Sequence, residues 1–311
     1  MQGVSRRVFL AVAAVGLAGC EEAEPPGRVR LATGPRGGPY AIFGSRLADE
    51  VHRAHPQIDV RVLPTAASVE NLRMLGDGRA DVALSLADSA ADAAKGRGPF
   101  RRPVPVTALA RLYLNYLHLV VPADSSIRRP SDLTGRTVSL GAAESGTSVT
   151  AGRVLETAGV RAGRTVRLGL GESADALAAA EVDAFFWSGG APTRTIAQLA
   201  KRRPVRLIPL DGLAAALRRR HGSVYESASI PAGIYGLRGP TATVGTPSYL
   251  VCRATLAATT ARALTAVLFD RRDRLPVPDA PGSRLDERYA IGTGTVPLHR
   301  GAAAYYREVY G

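Results

Sequence analysis

The sequence is poor in cysteine, lysine and aromatic residues, and each shortage excludes a class of protein. Only two cysteines, Cys20 and Cys252, occur among 311 residues. A disulfide-stabilised secreted scaffold needs more, so the chain must derive its stability from a buried core. The length and the 46% hydrophobic content are sufficient for one large or two medium cores. Cys252 lies in an apolar run, which predicts a buried, unreactive thiol.

The basic residues are almost all arginine, since the 40 lysines and arginines include only two lysines. A formal net charge of +13 can indicate a nucleic-acid binder. The arginines are scattered, however, and aromatic residues form only 5% of the chain, so few rings lie beside them to stack on bases. We predict no nucleic-acid partner. The charge instead favours anionic solutes or an anionic membrane surface.

Motifs of catalysis and metal binding are also lacking. The five histidines have no zinc-site spacing, and the chain contains no G-x-S-x-G, Walker or H-E-x-x-H motif. Glu144 beside Ser145 could suggest a hydrolase, but the sequence places no base near them. We predict no enzyme, no metal site and no cofactor.

The first twenty residues indicate an export signal. Residues 5–10 (Ser-Arg-Arg-Val-Phe-Leu) carry a twin-arginine pattern, and the apolar run from Val8 to Leu17 is too short to span a bilayer. The run closes on Leu-Ala-Gly-Cys, where Cys20 resembles the lipid acceptor of bacterial lipoproteins. We predict a signal peptide at 1–19 and an acidic, lipid-anchored tether at 20–27, outside the cytoplasmic membrane. An ordinary secretory signal is the alternative.

Beyond the tether, short apolar strands alternate with helical segments, which predicts an α/β architecture with mainly parallel strands. Val106–Leu109 and Leu117–Val121 are predicted as separate strands, with a second sheet beginning near Thr137. No stretch here is long and apolar enough to cross a membrane. We predict two lobes joined by a hinge around a cleft. The predicted boundaries are 28–117 plus 240–311 for lobe 1 and 118–239 for lobe 2.

Four strand-to-helix junctions place glycine or small hydroxyl residues just before a helix. Such helix starts present unpaired backbone N–H groups and a partial positive charge, which bind carboxylate or phosphate. The first to fourth junctions are residues 34–40, 64–71, 141–147 and 188–192. Any one of them taken alone is better explained as an ordinary turn. All four follow predicted strands, two in each lobe, and ligands of open α/β sheets bind at the carboxyl ends of strands.

The candidate ligand contacts lie in or beside these junctions. They are Gly37, Gly38, Tyr40, Ser68, Asn71, Asp88, Ser145, Gly146, Thr147, Gly189, Gly190 and Pro192. Ser145 and Thr147 are the strongest candidates, because hydroxyl and N–H donors converge at one helix start. Asp88 could recognise a substrate ammonium group, or it could be a cap or an ion-pair partner. Arg36 could bind a carboxylate, although most arginines must lie on the surface.

Several segments resemble one family in their combined order. They are residues 32–40, 68–72, 80–84, 118–121, 127–141, 145–147, 182–192, 230–235 and 241–250. The chain resembles the TAXI-type solute receptors of TRAP transporters, which have the type II periplasmic-binding-protein fold. The resemblance implies a monomeric receptor that captures a small organic acid or amino acid, such as glutamate, and delivers it to TRAP membrane permease subunits. A ligand sensor for a membrane signalling protein is the alternative.

The chain departs from the family pattern at three places. Pro39 and Ala41 replace a threonine and an aromatic residue in the first junction. Residues 86–88 lack an amide that the family often carries, and Glu144 stands where a neutral residue is usual. A buried carboxylate at Glu144 would repel an anion unless it faces outward. The resemblance therefore implies the fold and the receptor role but leaves the substrate open.

Overall fold

The computed structural model describes residues 27–277 and 285–311, and this part of the chain forms ten strands and ten α-helices. The strands are β1 (Gly27–Ala32), β2 (Ile58–Leu63), β3 (Val82–Leu86), β4 (Val106–Pro122), β5 (Thr137–Ser139), β6 (Arg164–Val166), β7 (Ala184–Gly189), β8 (Val205–Leu207), β9 (Glu226–Ile230) and β10 (Thr241–Arg253). The helices are α1 (Pro39–Ala54), α2 (Ser68–Gly76), α3 (Ala87–Lys95), α4 (Gly146–Thr157), α5 (Leu170–Ala178), α6 (Arg194–Arg202), α7 (Leu213–His221), α8 (Ala258–Asp270), α9 (Glu287–Ala290) and α10 (Arg300–Tyr310).

The predicted signal peptide, Cys20 and the tether up to residue 26 lie outside the described residues. Within the described ranges, none of the helices has the length and apolar content needed to cross a bilayer.

The strands form one mixed sheet rather than the two mainly parallel sheets that the alternation predicted. The order is β2-β1-β3-β10-β4-β7-β5-β6, with β8 on β4 and β9 on β10. The strands β1 to β3 are parallel at one end, as are β5 to β7 at the other. Between them β4 and β10 run antiparallel to their neighbours and to each other, so they hydrogen-bond the two halves together.

The segment predicted as two strands is the single strand β4. Arg111 and Asn115 interrupt its apolar pattern, and such polar residues suggest a strand end. The Arg111 guanidinium pairs with Glu226 at 2.7 Å, and the Asn115 amide donates to the Thr246 carbonyl and the Ser248 hydroxyl. Because both polar groups are satisfied, the strand continues through them.

The buried apolar side chains form four clusters that fall into two groups. One group lines β1, β2 and β3 with α1, α2, α3, α8 and α10. The other lines β5 and β7 with α4, α5, α6 and α7. Along β4 the first group extends to Tyr113 and the second begins at Leu114. We call these groups lobe 1 and lobe 2; the boundaries at 117 and 240 remain a prediction.

Several elements were not predicted from the sequence. The helix α3 is rich in alanine, and its buried face of Ala87, Ala90 and Ala93 gives little apolar contrast along the chain. The arginine, proline and glycine content of residues 211–228 predicts surface loops or short helices; the short helix α7 fits this expectation, whereas the strand β9, which runs on to Ile230, was not predicted. Cys252 is buried as predicted, and burial raises the pKa of its thiol to about 12.

Candidate functional site

The second and third junctions face each other across the lobe boundary and touch directly. The backbone N–H groups of Val69 and Glu70, in the first turn of α2, donate to the Glu144 carbonyl at 2.9 and 3.2 Å. The start of α2 is thus occupied by a peptide oxygen from the other lobe. A free helix start at this place, as the sequence suggested, does not occur in this closed arrangement.

The Glu144 side chain faces outward, so its carboxylate is not buried where it would repel an anionic solute. It is 41% exposed and forms an ion pair with Arg73 of α2. The Glu144 backbone has φ +62°, a left-handed conformation that is uncommon for a residue with a side chain. The third junction therefore uses both the backbone and the side chain of one residue to contact lobe 1.

A buried polar network crosses the boundary beside these junctions. The Asp88 carboxylate of α3 accepts hydrogen bonds from the Thr150 and Tyr225 hydroxyls at 2.8 and 2.9 Å. Arg153 of α4 lies 3.7 Å from Asp88 and also pairs with Asp92. Asp88 is thus engaged by side chains of lobe 2 and is not presented to a solute here.

The electrostatics of this network follow from its burial. Burial raises the pKa of Asp92, an effect that the Arg153 charge opposes, and burial also raises the pKa of Tyr225 far above its usual range. Burial lowers the pKa of Arg153, but the Asp88 charge, together with Tyr225 and the Asp92 charge, outweighs burial and holds the pKa above the ordinary arginine value. Arg153 therefore stays charged and compensates the carboxylates of lobe 1.

Tyr40, predicted from the first junction, reaches a polar cluster on the two connecting strands. Its hydroxyl lies 2.7 Å from the Ser248 hydroxyl of β10, to which Asn115 of β4 also donates at 2.7 Å. Burial raises the pKa of Tyr40, so its hydroxyl stays protonated. Ser248 and Asn115 were missed from the sequence. The sequence feature that could have identified each of them is a polar residue inside an otherwise apolar strand.

Asn71 and Ser68 act within lobe 1. The Asn71 amide donates to the Thr33 and Leu84 carbonyls at 2.6 and 2.7 Å, which ties the residue after β1 to the middle of β3. The Ser68 hydroxyl accepts from the Leu86 N–H at 3.0 Å. A solute contact at Asn71 would have to break these bonds, so its structural role is the better supported one.

The start of α4 brings together the strongest predicted candidates. The Ser145 hydroxyl caps the helix by accepting from the Ser148 N–H at 3.2 Å, and the Thr147 hydroxyl accepts from the Ser188 N–H at 3.2 Å. A Cβ on Gly146 would lie 2.6 Å from the Ser68 hydroxyl and 2.7 Å from a Leu86 methyl carbon, both in lobe 1. Only glycine allows the lobes to approach this closely.

The fourth junction is held by its own hydrogen bonds. The Thr193 hydroxyl donates to the Gly190 carbonyl at 2.5 Å and accepts from the Trp187 indole at 2.9 Å. A Cβ on Gly189 would collide with the Trp187 ring, and Pro192 is exposed. Position 189 thus requires glycine, and the Gly190 carbonyl is used within the loop, while a solute contact at Gly189, Gly190 or Pro192 stays a prediction.

Tyr235 links the fourth junction to a buried histidine on β4. Its hydroxyl accepts from the Thr193 N–H at 2.6 Å and lies 3.2 Å from Nε2 of His118. Burial lowers the pKa of His118 to about 4, so the ring is neutral at physiological pH.

The first junction contributes little besides Tyr40. Gly37 has φ +74°. Gly38 is the N-cap residue of α1 and, as a glycine, has no side chain that could cap the helix or contact a solute. Arg36 is exposed and lines a groove of about 740 Å³ between α1 and residues 273–276, where Arg46 and Arg274 also lie. The structure thus gives Arg36 a surface position.

The described ranges hold no group of three or more histidine, cysteine, aspartate or glutamate side chains placed to bind a metal ion. The start of α4 presents the hydroxyls of Ser145, Thr147 and Ser148 and backbone N–H groups at the junction of the two lobes, next to the charged network of Arg153, Asp88 and Asp92. Such an arrangement suits the capture of a small polar molecule between the lobes.

Residues 31–309 match the NMT1-like family. The chain belongs to the NMT1-like family. Among solved structures, this NMT1-like protein is similar to the binding protein component of an ABC phosphonate transporter from Pseudomonas aeruginosa, at 12% identity and TM-score 0.53 over 82% of this chain and 76% of that one. It is similar to an ancestral arginine-binding protein bound to arginine, at 16% identity and TM-score 0.50 over 79% and 93% of the two chains.

A Xanthomonas citri protein bound to ATP also matches, at 15% identity and TM-score 0.50 over 91% of this chain and 95% of that one. At these identities the likeness establishes the fold, which is the two-lobed fold of periplasmic solute-binding proteins. The comparisons thus confirm the predicted periplasmic-binding-protein fold. Membership of the TAXI group remains a prediction from the sequence.

Proposed function

We propose that this protein is an extracytoplasmic receptor that binds a small organic acid or amino acid between its lobes and delivers it to the membrane subunits of a TRAP-type transporter. The observation that carries the proposal is the start of α4, where Gly146 packs directly against Ser68 and Leu86 of lobe 1 and the adjacent Thr147 hydroxyl accepts from the Ser188 N–H of β7. A helix start with free N–H groups is a binding site for an oxyanion. The lobe boundary is where such a solute would be enclosed.

The binding half of this proposal is tested by thermal unfolding of soluble protein starting after Cys20, against amino acids, carboxylates and sugars. A solute at about 100 times its dissociation constant adds about 2.7 kcal/mol to the free energy of unfolding. A rise in melting temperature with one class supports the proposal. If no solute raises it, and mass spectrometry finds no small molecule released on denaturation, the receptor function is rejected.

The anchoring half is tested by fractionation of cells that produce the full chain. Lipid on Cys20 should place the protein in the membrane fraction, and Cys20→Ser should release it or block its processing. Cys252→Ser is the matched control, because Cys252 is buried within β10. Recovery of Cys20→Ser in the membrane fraction to the same extent as the wild type would contradict the lipid anchor.

A further inference from the structure

The carboxylates at the lobe boundary are all engaged in the part of the chain that the structure describes. Asp88 accepts two hydroxyl hydrogen bonds and lies beside Arg153, which also pairs with Asp92. Glu144 pairs with Arg73, and the Glu70 carboxylate accepts from the Ala66 N–H at 2.6 Å. A solute ammonium group bound here would have to displace one of these partners, and burying it unpaired would be costly.

The arginine next to the start of α4, by contrast, is not engaged by an opposite charge within the described ranges. Arg167 directly follows β6, and its guanidinium donates to the Ser148 hydroxyl in the first turn of α4. Among the described residues it forms no ion pair with a carboxylate, and it is exposed. Its planar donors remain suited to a carboxylate or a similar oxyanion.

Ser188 provides an independent sign that this helix start receives a ligand. The residue is 9% exposed, and its hydroxyl has no hydrogen-bond partner in the described structure. Alternation along β7 places its side chain on the face of Phe186, which packs in the same cluster as Val154 of α4. The Ser188 N–H donates to the Thr147 hydroxyl, so Ser188 lies beside the start of α4, and its free hydroxyl is on the face of β7 that packs against this helix.

We infer that the solute is an organic anion without an ammonium group, and that Arg167 is a specificity-determining residue for it. This inference rests on the proposed receptor function and narrows its substrate class. The anion would accept hydrogen bonds from the Gly146 and Thr147 N–H groups, the Ser188 hydroxyl and the Arg167 guanidinium. The partial positive charge of the helix start adds to their attraction. Carboxylate, sulfonate and phosphonate groups share the required chemistry.

The experiment compares matched solutes by isothermal titration calorimetry on the soluble protein that starts after Cys20. Propionate is paired with alanine and glutarate with glutamate, so that each pair differs by one amino group. Ethanesulfonate and ethylphosphonate distinguish the three oxyanions. Any small molecule released from the purified protein on denaturation is identified by mass spectrometry. We expect binding of a desamino acid, or release of one, and at least tenfold weaker binding of its amino counterpart.

The variant Arg167→Gln tests the arginine. A lost charge-assisted hydrogen bond should weaken binding of the best anion about tenfold to a hundredfold. Arg164→Gln is the matched control, because it removes the same charge from the exposed start of β6, and it should change affinity less than twofold. Unchanged affinity in Arg167→Gln would overturn the assignment of this residue.

The outcomes separate this inference from the proposed function. An amino acid that binds as tightly as its desamino counterpart, or a released solute that carries an ammonium group, overturns the substrate class and leaves the receptor intact. If no tested solute binds and none is released, the receptor function fails, and the inference fails with it.

Discussion

The buried charges of Asp88, Asp92 and Arg153 make the stability of the closed lobes depend on one arginine. The Arg153 side chain is 12% exposed and faces two carboxylates of α3 that are more deeply buried. Replacement by methionine keeps an unbranched apolar stem but removes the guanidinium, so both carboxylates lose the cation that lies between them. Removing one partner of a buried pair typically costs about 3–5 kcal/mol. Against a total of about 5–15 kcal/mol for a folded protein, this is a large fraction.

Urea unfolding followed by circular dichroism measures this loss. The exposed pair of Arg202 and Asp175, at 60% and 72% exposure, supplies the control, and Arg202→Met should cost at most about 1 kcal/mol. Replacing Asp88 and Asp92 by asparagine in the Arg153→Met background removes the uncompensated charges and should restore most of the stability. A loss below about 1 kcal/mol in Arg153→Met would refute the reasoning, because it would mean that the carboxylates do not depend on this arginine.

Two further predictions concern lobe closure and pH. Gly146→Ala should hold the lobes apart, since its Cβ would meet Ser68 and Leu86; small-angle scattering should show a larger radius of gyration and calorimetry weaker solute binding. Gly152→Ala in the same helix has open space around it and should leave both unchanged. His118 is neutral in the folded protein because burial lowers its pKa from 6.5 to about 4, whereas the unfolded chain takes up a proton below pH 6.5. Its contribution to stability is therefore full above pH 6.5 and declines by about 3 kcal/mol as the pH falls to 4. His118→Gln should flatten this part of the stability profile in urea titrations, and an unchanged slope would contradict it.

Most of the elements around the site could be predicted from the sequence. All four junctions connect a strand to a helix, as their glycines and small hydroxyl residues indicated. Ser145 caps α4, and serine is one of the residue types favoured at that position. These features depend on residues that are close together in the chain, so they can be predicted from the local sequence.

The partners of each candidate could not be predicted in the same way. Asn71 is engaged by the Thr33 and Leu84 carbonyls, Asp88 by side chains of lobe 2, and the start of α2 by the Glu144 carbonyl. Arg167 was not a candidate at all, because in a chain rich in arginine nothing local distinguishes it from its neighbours. Its position beside Ser148 results from the packing of β6 and α4.

The sequence by itself determined the α/β class, the helix starts and the kinds of donor available, because hydrophobic period, glycine and capping residues act over short distances. Only the tertiary structure decided which donors are used by the protein and which remain for a solute. That outcome depends on pairs such as Val69 and Glu144, which are 75 residues apart and meet only when the lobes close. A hydrogen bond between residues so far apart in the chain cannot be predicted from the local sequence pattern around either residue.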